Sequence, residues 1–333
     1  MDLNVTGMRA AVVGGDTRAA GQVAALLDGG AIVTVIATEV TATIDDLAAR
    51  GLVEWLRREI QPGDLAPFDI VLKGQPTAPD DDERILGTGS VTLVGGGPGD
   101  PGLVTVAGRQ AIESADVIVT DRLAPLAALA WARTDAEVID VAKVPGGRST
   151  SQDEINRLLV EHAKSGRHVV RFKGGDNFVF GRGGEELLAC LEAGIATRVV
   201  PGVSSSIAAP ALAGIPVTHR GLNQGFTVIS GHVPPGHSDS TLDYAALARS
   251  GTAIVVLMGV RTLGAICAAL IDGGLDADTP AAVVADGALP SQQVVRATLG
   301  TIDADASAAG LVAPVVAVIG TVADIPGLGE AAR

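Results

Sequence analysis

Residues 91–105, "VTLVGGGPGDPGLVT", contain a literal G-x-G-x-x-G at Gly97, Gly99 and Gly102. Glycines at this spacing suit a turn that lets a diphosphate approach a helix N-terminus. The prolines oppose that chemistry here. Pro98 and Pro101 stand inside the loop, and Pro101 pushes Asp100 away from helical geometry. A helix then begins only around Pro101, with Gly102 near its first turn instead of packed a turn inside it. A second glycine pair follows the first strand, in "AAVVGGDTRAAG". Over Gly14, Gly15 and Asp16, the aspartate takes the place of the glycine whose bare backbone would meet a pyrophosphate. A carboxylate there repels a diphosphate, so NAD is not expected as a cofactor.

Charge gives a further signal. Residues 143–182 hold eight basic and four acidic side chains, in a chain of formal net charge −14. Solvated helix faces account for such a run, and so does a cleft for an anionic small molecule. The overall acidity argues against sequence-independent nucleic-acid binding. Cys190 and Cys267 lie in apolar, helix-like runs without metal or disulfide spacing, so buried inert thiols and no metal centre are expected. The uncharged runs 199–218 and 306–323 are interrupted by Pro201, Pro210 and Pro216, and by Gly310, Pro314 and Gly320. Neither offers a membrane-spanning helix. The start "MDLNVTGMRA" has no signal-peptide layout, and a cytoplasmic location is expected.

The elements that must position these residues read as α/β. Of the 333 residues, 47% are hydrophobic but only 2% aromatic, so the core is built from Val, Leu, Ile and Ala, as in buried parallel strands with packed helices. Residues 1–74 begin strand–helix–strand ("RAAVVGG", "TRAAGQVAALLDGG", "AIVTVIA"), a partial Rossmann-like module. Residues 75–90, rich in proline, acid and glycine, read as a linker. In 91–220 the strands "VTLVG", "DVIVT", "EVIDV", "HVVRF" and "TRVV" alternate with helices around 103–114, 125–133, 152–165 and 183–193, which implies a mainly parallel sheet. In 221–325 the strands "FTVIS", "TAIVVLMG", "AAVVAD", "QVVRATLG" and "APVVAVIG" outnumber the helices, which implies a mixed sheet.

Six strings occur in order: "VGGGPGDPGLVT", "ADVIVTDRL", "KVPGGRSTSQDEIN", "VVRFKGGDNFVFGRGGEE", "VVPGVSSSIAAPALAGIPVTHRG" and "VLMGV". Together they closely resemble the uroporphyrinogen-III C-methyltransferases, a branch of the tetrapyrrole methylases, over roughly residues 90–322. The resemblance implies a tetrapyrrole methylase fold of two α/β domains with the active site in the cleft between them. It implies S-adenosyl-L-methionine as cofactor, leaving as S-adenosyl-L-homocysteine, and uroporphyrinogen III as substrate. Two methyl transfers, through precorrin-1 to precorrin-2, then feed siroheme or cobalamin synthesis, in a family that is usually homodimeric.

Carried over residue by residue, Pro98, Gly174, Gly175, Asp176, Val179, Ser204, Ser205, Met258 and Gly287 contact the cofactor. Asp121 is the proton acceptor and Lys143 the donor. The acceptor pyrrole behaves as an enamine, and a carboxylate suits removal of the ring N–H proton. Arg122, Arg148, Arg182 and Arg220 lie beside the matched loops and are expected to clamp substrate carboxylates. Two positions depart from the family: Asn177 stands where proline is usual, which admits turn or left-handed geometry, and Thr120 stands where tyrosine is frequent, altering the wall near the reacting ring.

Residues 1 to about 75 look like the start of the precorrin-2 dehydrogenase and ferrochelatase module of siroheme synthases, but "FDIVLKG" leads almost directly to the linker. The alternatives are a bifunctional siroheme synthase with NAD-dependent dehydrogenase activity, a methyltransferase for a later corrinoid precursor, and a non-catalytic binding protein.

Overall fold

The computed structural model describes residues 5–15, 17–73, 89–141 and 150–328. Asp16, Lys143, Arg148 and all but the end of the expected linker lie outside the described residues. The chain divides into two compact units, Met1–Glu83 and Arg84–Arg333.

In the first unit, β1 (Arg9–Val13), β2 (Ile32–Ile36), β3 (Glu54–Leu56) and β4 (Ile70–Lys73) form a sheet in the order β3-β2-β1-β4. Every pairing is parallel. Helix α1 (Thr17–Asp28) buries Ala19, Val23 and Leu26, which fall on one face at helical spacing. Gly30, at φ +79°, follows its end. Helix α2 (Ala42–Ala49) anchors through Ile44, its one buried residue. Behind β1, a Cβ on Gly15 would lie 1.9 Å from the Glu39 carbonyl oxygen, and Thr41 N–H donates to the Gly15 carbonyl at 2.8 Å. The bare backbone there receives the loop after β2.

The second unit opens with β5 (Ser90–Gly95), α3 (Val106–Ser114), β6 (Val117–Thr120), β7 (Glu137–Asp140), α4 (Gln152–Lys164), β8 (His168–Lys173), α5 (Gly183–Glu192), β9 (Ala196–Val200) and α6 (Ser205–Leu212). The strand order is β7-β6-β8-β5-β9, and all pairings are parallel. Two helices differ from expectation. The one placed at 103–114 starts at Val106, because Asp100 Oδ1 accepts from Gly102 N–H at 2.7 Å and closes a 3-10 turn over Pro101–Leu103. Thr105 then caps α3 by accepting from Gly108 N–H at 3.0 Å. The one placed at 125–133 is a 3-10 helix, Leu126–Trp131.

A second sheet follows, with β10 (Phe226–Ser230), α7 (Tyr244–Ala248), β11 (Ala253–Leu257), α8 (Leu263–Asp272), β12 (Pro280–Ala285), β13 (Gln293–Thr298), α9 (Ile302–Ala308) and β14 (Val315–Ile319). Its order is β10-β11-β14-β12-β13. β10 and β11 run parallel, while β14 is antiparallel to β11 and β12, and β13 antiparallel to β12. The amino end of β14 therefore lies beside the carboxyl ends of β11 and β12.

Both cysteines are buried, and burial raises both thiols, Cys267 to about 11. At pH 8 that leaves about one Cys267 in a thousand as the reactive thiolate. A disulfide reagent therefore modifies neither cysteine in the folded chain at pH 8 and both in guanidinium, as an absorbance titration of the released thiolate will read. No helix among the described residues is long and apolar enough to cross a membrane, and Pro210 falls inside α6.

Candidate active site

In a parallel sheet, all strand ends of one polarity open on the same edge, and ligands collect there. The loops leaving the carboxyl ends of β5, β6, β8 and β9 bring Pro98, Asp121, Gly174 and Ser204 to a common cavity of about 500 Å³. The second sheet supplies the other wall: Leu257 and Met258 after β11, Gly287 after β12, and Val315 at the amino end of β14. That volume lies in the range of small-molecule sites.

The glycine loops hold each other. Gly97 N–H donates to the Gly175 carbonyl at 3.1 Å, and Gly175 N–H to the Gly97 carbonyl at 2.6 Å. Gly97 and Gly175 take φ of +78° and +65°, which glycine adopts without strain. A Cβ on Gly202 would lie 2.3 Å from the Gly175 carbonyl oxygen and 2.5 Å from the Gly95 carbonyl carbon. Three backbones thus meet where no side chain fits. The G-x-G-x-x-G string is one half of a backbone bridge that presents Pro98 to the cavity.

Among the residues singled out from sequence, Pro98, Gly174, Gly175, Asp176, Val179, Ser204, Ser205, Met258, Gly287, Asp121, Arg122 and Arg182 all line this cavity. Several also make contacts within the protein. The space above Gly174 and Gly287 is taken by protein, since Cβ atoms there would lie 2.3 Å from the Leu123 carbonyl oxygen and 2.5 Å from the Ala209 Cβ. Asp176 is committed to backbone, with Oδ1 accepting from Phe178 N–H at 2.8 Å and Oδ2 from Gly202 N–H at 3.0 Å. Ser204 caps α6 through Ser206 N–H at 3.3 Å. Arg182 is paired with Glu185 at 2.7 Å, and their hydrogen bond holds Arg182 charged and lowers Glu185. Arg220 is exposed and lies off the cavity lining, in the turn closed by the His219–Asn223 bridge.

The two departures also have structural answers. Asn177 is fully buried, and its Nδ2 donates to the carbonyls of Leu93 at 3.2 Å and Val200 at 3.0 Å, tying β5 to β9. Its φ is not positive, so it acts as a clamp and not as a left-handed turn residue. Thr120 is buried in β6 and forms no part of the cavity wall. Asn177→Ala strips a buried donor from two carbonyls and should lower the stability of this unit by about 2 kcal/mol. Calorimetric melting of the full chain reads that loss.

Backbone strain concentrates here. Among the described residues the non-glycine residues of positive φ are Phe180, Arg182, Met258, Asp286 and Ala288. The first three line the cavity and the last two flank Gly287. Strain of this kind persists where the surroundings over-determine a geometry, as they do at binding sites.

Asp121 is fixed on both oxygens. Oδ1 accepts from Leu123 N–H at 3.0 Å and Oδ2 from Arg171 at 3.1 Å. Arg171 and Lys173 also line the cavity, and both bind the buried Glu186, at 3.0 and 2.9 Å. Burial lowers Lys173, and the Glu186 carboxylate works against that shift. Arg122 and Arg261 face the cavity from opposite walls with no hydrogen bond or ion pair to any described residue.

A sequence profile of the Tetrapyrrole (Corrin/Porphyrin) Methylases matches residues 90–303, more than half of the chain. The chain belongs to the tetrapyrrole methylases. A second profile, described as putative NAD(P)-binding, matches residues 1–83. The uroporphyrinogen-III C-methyltransferase of Methanocaldococcus jannaschii is 44% identical over 239 residues, covering 72% of this chain and 98% of that protein. The siroheme synthase of Thiobacillus denitrificans is 43% identical over 70% of this chain, and the match spans 48% of that longer protein. Among solved structures, uroporphyrin-III C-methyl transferase from Thermus thermophilus complexed with S-adenyl homocysteine superposes with a TM-score of 0.59. The identity is 37%, covering 70% of this chain and 98% of that one.

In this tetrapyrrole methylase, residues that sequence reasoning passed over line the cavity, namely Gln152, Arg171, Lys173 and Arg261, or stand directly behind it, as Glu186 does. One signal was present. In "HVVRFK" two cations at i and i+2 share one face of an otherwise apolar, centrally paired strand, and buried cations need partners.

Proposed function

We propose that the chain methylates uroporphyrinogen III at carbon, using S-adenosyl-L-methionine, twice in succession to precorrin-2 through precorrin-1. The observation that carries this reading is Asp121, a carboxylate locked on both oxygens and only partly exposed, facing a cavity built by the family's own loops. The cavity chemistry fits the cofactor: Val179, Met258, Val284 and Val316 offer apolar wall, and Gly175, at positive φ, lines it with no side chain in the way. Bound there, S-adenosylmethionine supplies an electrophilic methyl group on a cationic sulfur.

The chain's residues do the rest. Leu123, Phe180 and Leu257 offer apolar surface to the acceptor ring. As the acceptor pyrrole nitrogen becomes cationic, Asp121 accepts its N–H proton, which leaves the methylated ring neutral and passes to solvent, and Lys143 is the proposed proton donor of the pair. Arg122 and Arg261, without partners among the described residues, take substrate carboxylates, and Arg182 joins them by exchanging Glu185. A cytoplasmic homodimer belongs to the same reading.

A second reading, a siroheme synthase with NAD-dependent dehydrogenase activity, is favoured by the profile match and parallel sheet of residues 1–83. Against it, the Glu39 carbonyl occupies the space at Gly15. Anaerobic incubation with S-adenosylmethionine and freshly reduced uroporphyrinogen III, with and without NAD, separates the two by product mass. Two added methyl groups are expected, and unchanged substrate refutes the proposal. A further loss of two hydrogens only with NAD establishes the second reading.

A further inference from the structure

At the cavity wall and directly behind it, four acidic and basic side chains form one chain of contacts. Glu186 of α5 is 0% exposed and accepts from Arg171 Nε at 3.0 Å, Lys173 Nζ at 2.9 Å and Gln152 Nε2 at 3.3 Å. Arg171, 4% exposed, reaches forward to Asp121 Oδ2 at 3.1 Å, and its remaining nitrogen donates to the carbonyls of Val119 and Phe172, each at 3.3 Å. The guanidinium plane therefore rests on four acceptors, with Glu186 behind and Asp121 in front.

Such burial is a poor device for stability alone. Desolvating a carboxylate and two cations costs several kcal/mol per ion, and apolar side chains of similar volume would pack at least as well. What the ionic arrangement adds is direction, because a planar fork held at one end fixes what it holds at the other. Leu123 N–H already fixes Asp121 Oδ1. The Arg171 fork fixes the remaining oxygen.

We propose that Glu186 is a positioning residue for the methyl transfer, setting the place of the Asp121 carboxylate through Arg171. The inference rests on the methyl-transfer reading above. Without the Glu186 charge, two buried cations face one carboxylate. Arg171 then loses its rear support and draws Asp121 out of line with the substrate nitrogen. Lys173 and Gln152, the other donors to Glu186, keep its carboxylate from turning.

A double-mutant cycle on the full chain tests this. Glu186→Gln should lower kcat by about 100-fold, the scale of a catalytic group displaced by an ångström, with both KM values within about threefold. Calorimetric affinity for S-adenosylhomocysteine should also change by no more than about threefold, because Glu186 does not line the cavity. In an Asp121→Asn background the same substitution should lower kcat by less than about threefold, since the group it positions is already gone. Equal losses in both backgrounds, which a merely structural ion pair gives, overturn the inference. If Glu186→Gln does not fold, Glu186→Asp keeps the charge but is too short to reach both Arg171 and Lys173. It should show the same background dependence at about tenfold. A wild-type chain that moves no methyl group overturns the functional reading and the inference with it; an active wild type with additive losses overturns the inference alone.

Discussion

Asp121→Asn lowers kcat for methyl transfer to uroporphyrinogen III by about 10²- to 10⁴-fold, the span of a lost general base. Asparagine preserves the size of the side chain and accepts the Leu123 N–H as before, so the cavity keeps its shape. It has no basic oxygen for the pyrrole proton, and it leaves Arg171 with one anionic partner, Glu186, in place of two. The KM for S-adenosylmethionine should stay within about threefold, because a residue acting only at the transition state lowers kcat and kcat/KM together. Initial rates by product mass, with calorimetric binding of S-adenosylhomocysteine beside them, separate this from a damaged fold. An unchanged kcat assigns the proton to another group.

Gly202→Ala should weaken cofactor binding and distort the site. The new methyl group would lie 2.3 Å from the Gly175 carbonyl oxygen, 2.5 Å from the Gly95 carbonyl carbon and within 2.6 Å of its oxygen, with backbone on every side. No rotamer relieves that contact, so the loops after β5, β8 and β9 must separate. Overpacking a tight core costs about 1–3 kcal/mol, and a contact with backbone alone belongs at or above the upper end. Breaking the Gly97–Gly175 bridge then removes the alignment of Pro98 with Ser204, and affinity for S-adenosylhomocysteine should fall by more than about tenfold. Gly184→Ala is the control. Nothing lies within 4 Å of its added Cβ, its φ is not positive, and it sits in the first turn of α5. It should leave binding intact and hold or raise the melting temperature, by up to about 1 kcal/mol of stability. Equal effects from both substitutions would refute the close packing of the three loops.

The strands were legible because their signal is local. Runs such as "VTLVG" and "HVVRF" are β-branched and apolar over the length of one strand, and their alternation with helices implies parallel pairing without further knowledge. The loops were legible by order, since four of the six matched strings fall at the carboxyl ends of β5, β6, β8 and β9, where a parallel sheet must gather them. The 3-10 turns at Pro101–Leu103 and Leu126–Trp131 were not, because a proline-rich start tilts a short helix by one hydrogen bond, below what composition resolves. That Arg220 lies off the cavity lining was not legible for a related reason. Nearness to a motif in sequence does not say which side of a turn a side chain leaves by.

The sequence by itself determined the alternation of strands and helices, the family, and which loops carry the site, because each depends on residue type and order along the chain. Only the tertiary structure decided what those residues hold. It turned the glycines of "GPGDPG" toward a second glycine loop, committed Asp176 to backbone, made Asn177 a clamp between β5 and β9, and joined Glu186 to Asp121 through Arg171. The physical reason is distance in the chain. Gly97 and Gly175, Asn177 and Leu93, and Asp121 and Arg171 are each separated by 50 or more residues, and hydrogen bonds of that range exist only once the sheet has set the register.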